Sequence, residues 1–437
     1  MGTSIELELG GITLDYAKNH MGNDYGSLFQ EGDRQRRPSD AIDYEYFVEN
    51  PDDELMARNE ACYVRRLGRV IPRLDLLGHT IEVAREEYEG VVRDAIELQQ
   101  DDCHGEEDQI VYMNFDEFID FCGRFDISDL DNIYIDGTTE DCDTIVRGRF
   151  SELKEETRRI PDGYNQRMYW SERSYFGSIV CILSPYSMLQ VFGRNEKHHK
   201  VEVVWQFGPI VEAGWVAKDQ FRGGAGRLNS ILVATEGSSD ARILRRAIDI
   251  LHPDISDFFR FIDVDQSHPF PGTGNLVKFA EGLVRIDVQN RMIFVFDNDA
   301  EGLFAHTRVK SLHKPANMTA MMLPPIDSFK SFPARGPEGV NHSDINERAA
   351  AIECYLDLRI PGRPRAEVVW SNYKKEVDRW HGALEYKESY TRRFLDQSSE
   401  SILDGSYDTC NISRVLEALI AESIALATAN SSSGESI

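Results

Sequence analysis

Two stretches of this chain bring carboxylates to the ends of apolar runs. The first, ILVATEGSSD, spans Ile231 to Asp240; the second, MIFVFDNDAEG, spans Met292 to Gly302. Glu236 follows the first run and Asp297 follows the second. Asp299 lies two residues beyond Asp297, so in extended backbone both side chains point the same way. Converging carboxylate oxygens suit a hard divalent cation such as Mg²⁺ (or Mn²⁺), which takes a few carboxylates and keeps its waters. Gly237 and Gly302 would let the backbone turn sharply and come close to a phosphate. Metal-assisted work on phosphate esters is the chemistry these residue types allow.

The neighbouring acids read differently. Asp240 is placed to stabilise the N-terminus of its helix, with Ser238 or Ser239 as the cap. Glu301 belongs at an exposed helix start. Asp263 and Asp265 repeat the spacing of Asp297 and Asp299, but no glycine turn follows, which fits a loop or a cap. The stretch PGTGN, Pro271 to Asn275, reads as a turn, with a phosphate cradle at a helix N-terminus as the alternative.

These acids need elements to hold them. Apolar strands are predicted at Ser230–Thr235, Phe259–Val264, Met292–Phe296 and Thr319–Leu323. Helices are predicted between them, at Ser239–Leu251, Asn275–Val284 and Gly302–Leu312. Continuous apolar strands with helical crossovers make a parallel sheet covered on both faces. In such sheets ligands bind outside the C-terminal strand ends, where Glu236 and Asp297 fall.

The EGxSD and DxDxxG motifs, in this order and each in strand–turn–helix context, resemble the Toprim domain of topoisomerases, bacterial primases and OLD-type nucleases. The resemblance implies that Glu236 acts as acid/base at the scissile phosphate and that Asp297 and Asp299 bind metal. It implies that Asp240 joins Glu236 in a metal site, as in OLD-type nucleases. It further suggests Glu353, on a helical run, as another acid, and Lys387 as a catalytic lysine. The chain lacks a GxxxxGK[ST] loop and a zinc ribbon, and it leaves little room for a gated topoisomerase domain. A nuclease remains.

The first two hundred residues or so read as an α+β domain. IELELGGITLDYAKN is a hairpin signal around Gly10-Gly11. Helical spacing is predicted from Asp53 to Leu98 with a break near Pro72, and an amphipathic helix from Phe115 to Phe125. Gln99 to Asp108 reads as an acidic connector, and Ser178–Leu183 and Val201–Phe207 read as buried strands. The opening MGTSIELELGGITLDYAKNHMGNDYGSLF resembles the N-terminal domain found ahead of HEPN or Toprim effectors in bacterial anti-phage and conflict systems. That implies a sensing, oligomerising or substrate-selecting module.

It also raises a rival, a metal-independent HEPN-type RNase using Arg194 and His199 (RNEKHH). Arg73 with His79 and Arg308 with His313 match the same loose pattern, and Arg194 precedes a strand where such a site needs a helix. A third reading is a non-catalytic acidic interaction module.

Composition bounds all three. The formal charge of −27 excludes a protein that grips nucleic acid over its whole surface, so binding must come from a local basic patch, metal ions, an oligomer or a partner. Seven scattered cysteines without a CxxC pair argue against a zinc site or a disulfide framework and fit a reducing cytosol. No run long enough to span a membrane occurs, the first residues lack a secretory signal, and Glu6 stands where a myristoylation motif needs Ser or Thr. The glycine-rich segment Phe221 to Asn229 marks a boundary.

The expected layout is an α+β domain over 1–222, an α/β Toprim domain over 229–345, a helical extension over 346–429 and a disordered tail over 430–437. The expected activity is Mg²⁺-dependent cleavage of DNA or of a structured RNA such as tRNA, in the cytoplasm. A separate ATPase or sensor protein and a homo-oligomer are the expected partners.

Overall fold

The computed structural model describes residues 2–39, 42–102, 110–161, 169–262, 272–286 and 288–432. The chain divides into two compact units, Met1–Ala225 and Gly226–Ile437, and the division falls inside the glycine-rich segment.

The first unit is built on strands β1 (Ser4–Leu9), β2 (Ile12–Lys18), β3 (Arg34–Arg36), β4 (Ala61–Arg66) and β5 (Glu202–Gln206). They form an antiparallel sheet in the order β2-β1-β5-β4-β3. Alternation in β1 buries Ile5, Leu7 and Leu9 against helices that include Ile81–Asp102, Phe115–Arg124 and Pro185–Gly193. Leu9 pairs with Ile12, so the turn has only two residues. Gly10 and Gly11 hold φ of 56° and 85°, which a tight hairpin turn with two left-handed positions requires.

Three expectations for this unit fail. Ser178–Leu183 is not a strand; its first half ends the helix Glu172–Val180, which Ser171 caps. A short apolar run cannot tell a buried strand from a buried helix turn. Within the stretch read as helical, Ala61–Arg66 is the strand β4, because Cys62, Tyr63 and Val64 are needed in the sheet. Pro72 lies inside the helix Leu67–Leu77, and the chain breaks instead at Gly78. Most of the acidic connector, 103–109, lies outside the described residues.

The second unit holds the parallel sheet. Its strands are β6 (Ile231–Thr235), β7 (Phe259–Phe261), β8 (Arg291–Phe296) and β10 (Met318–Met322), in the order β10-β8-β6-β7, while β9 (Asn298–Asp299) is a separate short strand. All three pairings are parallel. Crossover helices Ser238–Leu251, Thr273–Arg285 and Ala300–Lys310 bury apolar stripes such as Ile243, Leu244, Ala247 and Ile248 against it.

Strands on both sides of Asn346 join in one sheet, so the chain beyond it is not helical at first. β11 (Phe332–Gly336), β12 (Gly339–Ser343), β14 (Val368–Lys374) and β15 (Arg379–Leu384) form a second sheet ordered β12-β11-β14-β15. β13 (Ala349–Ala350) pairs with β9. In β14 burial fades from Val368 toward the exposed residues 371–373, and β15 keeps Gly382 and Leu384 buried, so this hairpin is partly wet. Helices Lys387–Asp396, Ser399–Leu403 and Cys410–Ser432 follow, the last reaching past the point where a disordered tail was expected to begin. It packs on the first crossover helix and on β8 and β10, so residues 346–429 complete one unit with 229–345.

Among the described residues no single helix is long and apolar enough to cross a membrane. The bent pair Glu172–Val180 and Pro185–Gly193 passes by composition alone, and its Phe176, Val180, Met188 and Leu189 are buried in the first unit's core.

Candidate functional site

β6 and β8 are neighbours with Thr235 opposite Val295, so the residues that follow each strand emerge side by side. Glu236 uses both carboxylate oxygens there. One accepts the backbone N–H of Asp297 at 3.1 Å and the other accepts the Thr273 hydroxyl at 2.5 Å. Asp297 in turn accepts the N–H of Ile352 at 3.1 Å. Asp299 caps the helix Ala300–Lys310 by accepting the N–H of Gly302 at 2.7 Å. Between them Asn298 is buried and bonds to Asn346, Glu347 and the Tyr355 hydroxyl, which locks the loop.

The other acids close in from two directions. Asp240 reaches back to the N–H of Gly237 at 3.0 Å and takes the Ser239 hydroxyl at 3.1 Å, so Gly237 is the N-cap and neither serine is. Glu353 is 3% exposed and sits on a 3₁₀ turn, Ile352–Tyr355, rather than on an α-helix. Lys387 opens the helix Lys387–Asp396.

Electrostatics tie the group together. Burial pushes the Asp297 carboxyl well above its ordinary range, and the charges of Asp240, Glu236, Asp299 and Glu353 push the same way. Burial raises Glu236 to about 7, helped by Asp299 and Asp240 and opposed by its hydrogen bonds to Thr273 and Asp297. Asp240 rises to about 6 through burial and then Glu353, while Ser239, Gly237 and Lys387 pull it down. Burial also raises Asp299, against the Gly302 N–H and His381. Glu236 and Asp240 are densely surrounded by protein yet keep part of their surface open to solvent. Glu236, Asp240, Asp297, Asp299 and Glu353 therefore act on one another, and Lys387 acts on Asp240.

The two glycines act differently from expectation. Gly237 has φ of −137°, extended backbone that any residue adopts, so no sharp turn requires it. A Cβ on Gly302 would lie 2.1 Å from the Asp297 carbonyl oxygen, so only glycine fits. Both N–H groups are committed to carboxylates of the cluster rather than offered to a phosphate.

A hard divalent cation fits the donor set in kind. Every donor is oxygen, and repulsion among buried carboxylates is what such an ion relieves. Among the described residues, no three or more His, Cys, Asp or Glu side chains stand as a ready-made shell. Hydrogen bonds hold the carboxylates in place individually instead. An ion that takes one or two carboxylates and keeps its waters does not need a larger shell.

Sequence reasoning missed two residues. The Thr273 hydroxyl holds Glu236 and is part of PGTGN, whose Pro271 lies outside the described residues, as do Asp263 and Asp265. His381 on β15 brings Nδ1 within 3.9 Å of Asp299, and this buried nitrogen has no hydrogen-bond partner among the described residues. No local motif announces it. Glu301 pairs with Lys374, and from the start of the helix Ala300–Lys310 its charge also pushes Asp299 upward.

Two of the rival histidines, His199 and His79, make contacts within the first unit. His199 gives its ring nitrogen to the Gly193 carbonyl at 2.8 Å, inside a 3₁₀ turn. Arg73 is fully buried and donates to the carbonyls of Ser27 and Phe29. His79 stacks on Tyr186, and Arg308 pairs with Glu281.

The second unit is thus an α/β unit with an acidic rim at adjacent parallel strand ends. Residues 1–229 match the family described as HEPN/Toprim N-terminal domain 1. The chain belongs to that family, whose name links it to nuclease-type effectors. No curated protein and no solved structure matches it.

Proposed function

We propose that the second unit is a Toprim-type centre that hydrolyses nucleic-acid phosphodiesters with Mg²⁺ or Mn²⁺. The observation that carries this reading is the Glu236 carboxylate held on the Asp297 N–H, with Asp240, Asp299 and Glu353 within electrostatic reach at the same strand ends.

Glu236 supplies the proton chemistry. Burial favours the protonated carboxyl, which can give its proton to the leaving oxygen as water adds to phosphorus and the scissile P–O bond breaks. Thr273 fixes the orientation of that carboxyl. Asp297 and Asp299, with Asp240 and Glu353, would hold the ion, which when bound offsets charge on the phosphoryl oxygens. Lys387 places a positive charge beside Asp240. His381 steadies Asp299 from the hairpin sheet.

A defence role is part of the proposal and follows the resemblance of the opening residues to domains of anti-phage systems. In this reading the chain is an anti-phage effector in the cytoplasm, with the N-terminal unit selecting the substrate or trigger, alone, as a homo-oligomer, or with a separate ATPase or sensor. An assay on DNA and on structured RNA with Mg²⁺ or Mn²⁺ tests it. Glu236→Gln is expected to lower cleavage by about a hundredfold or more. Undiminished cutting by Glu236→Gln and Asp297→Asn would end the proposal.

A further inference from the structure

A groove of about 760 Å³ opens in the second unit, lined in part by Cys354, Tyr355, Arg359, Arg363, Arg365 and Asn411. It adjoins the acidic centre through one short turn. In Ile352–Tyr355 the Ile352 N–H binds Asp297 and Glu353 faces the acids, while the next two residues line the groove. A 3₁₀ turn rises only about 2 Å per residue, so the two sites are neighbours.

The groove carries unspent positive charge in a chain of formal charge −27. Arg359 is held by Asp357 and Asp408, which also line the groove, but no carboxylate pairs with Arg363 or Arg365 among the described residues. Pro361 and Pro364 stiffen the backbone between these arginines, so less ordering is needed to present them. The Arg363 guanidinium lies 5.2 Å from the centre of the Tyr386 ring. Tyr386 is 57% exposed, sits immediately before Lys387 and holds φ of 58°. A bulky residue in left-handed backbone with its ring in water contributes little to a core, and strain of this kind collects at sites of contact.

We infer that the groove carrying Arg363 and Arg365, with Tyr386 beside it, binds single-stranded nucleic acid and leads it to the acidic centre. The inference rests on reading that centre as a phosphodiester-cleaving site. Guanidinium groups pair with phosphates. The open face of an aromatic ring stacks bases of any sequence, which a duplex keeps hidden. The local charge answers how so acidic a chain holds a polyanion.

The test is fluorescence anisotropy of a short labelled single-stranded oligonucleotide of mixed sequence, as DNA and as RNA, with the full chain in EDTA. Arg363→Ala/Arg365→Ala is expected to weaken binding about tenfold or more and to lower the log–log salt slope by about 1.4, at about 0.7 per lost phosphate contact. Tyr386→Ala is expected to weaken it about tenfold and Tyr386→Phe to restore it. Matching melting curves show that the variants fold. Wild-type affinity too weak to measure, unchanged affinity in the double arginine variant, or tighter binding of duplex would overturn the inference. Asp297→Asn separates the two readings. If it abolishes cutting while the groove variants bind normally, the groove alone fails. If groove variants lose binding while Asp297→Asn still cuts, the cleavage site fails and the groove stands.

Discussion

The two units treat buried charge in opposite ways. In the first, several buried ionic groups are matched, although burial raises Asp75. Arg65 pairs with Asp33, Arg149 with Glu172, and Arg73 spends its guanidinium on two carbonyls. Burial alone would raise Glu172, but Arg149 and the N–H groups of Arg149 and Asp131 outweigh it and hold the carboxyl below its ordinary range. Hydrogen bonding to Arg124 lowers Glu156 likewise. In the second unit, carboxylates are gathered against one another and four of them are raised. The first arrangement serves stability. The second sacrifices it, which suits the catalytic role proposed above.

The contrast breaks most easily in the first unit. Arg73→Ala would strand two buried carbonyls and is expected to destabilise that unit by about 3 kcal/mol, seen as lost hydrogen-exchange protection over its sheet. A neutral result would mean that matched burial is not what holds the unit.

Acid and base should then act on the two units with opposite sign. Carboxyls whose folded pKa is lowered, such as Glu172 and Glu156, contribute stability above their unfolded pKa and lose it as pH falls through the folded value. Glu236 and Asp240, raised to about 7 and about 6, behave in reverse. They bind protons more tightly folded than unfolded, so stability is full below their ordinary range and falls as pH rises through the folded values. In EDTA, the second unit is expected to lose about 2 kcal/mol between about pH 5 and pH 8, while the first weakens only in stronger acid. Hydrogen exchange by unit separates the two, and parallel profiles would refute the contrast.

The smallest effect sharpens it. Asp297→Asn keeps an acceptor for the Ile352 N–H and removes an acid whose ionisation burial and its neighbours oppose. Without metal it is expected to stabilise the second unit by about 1 kcal/mol, measured by thermal melting, while abolishing cleavage. Destabilisation would mean that the cluster is already neutral.

How much of this could be read from the chain depends on how local the cause is. β6 and β8 run straight into Glu236 and Asp297, so strand end and acid are adjacent in sequence and the rim was visible. The hairpin at Gly10-Gly11 was legible for the same reason. Glu353 and Lys387 were reachable only through resemblance, because the 3₁₀ turn and helix that present them fold onto the sheet from far along the chain. His381 arrives on a hairpin in a region read as helical, and Thr273 acts through a hydroxyl that no spacing rule marks. Ala61–Arg66 and Ser178–Leu183 were misread because runs of a half-dozen residues fit either period, and only the sheet's need for partners decides.

The central claim is that the acids at the β6 and β8 ends capture a divalent ion, and a Mg²⁺ titration followed by thermal melting tests it most directly. An ion that binds only the folded state raises the melting temperature with its concentration. Wild type is expected to rise with Mg²⁺, and Asp297→Asn/Asp299→Asn is expected to stay flat. Equal responses in the two proteins, or none in either, would contradict the account.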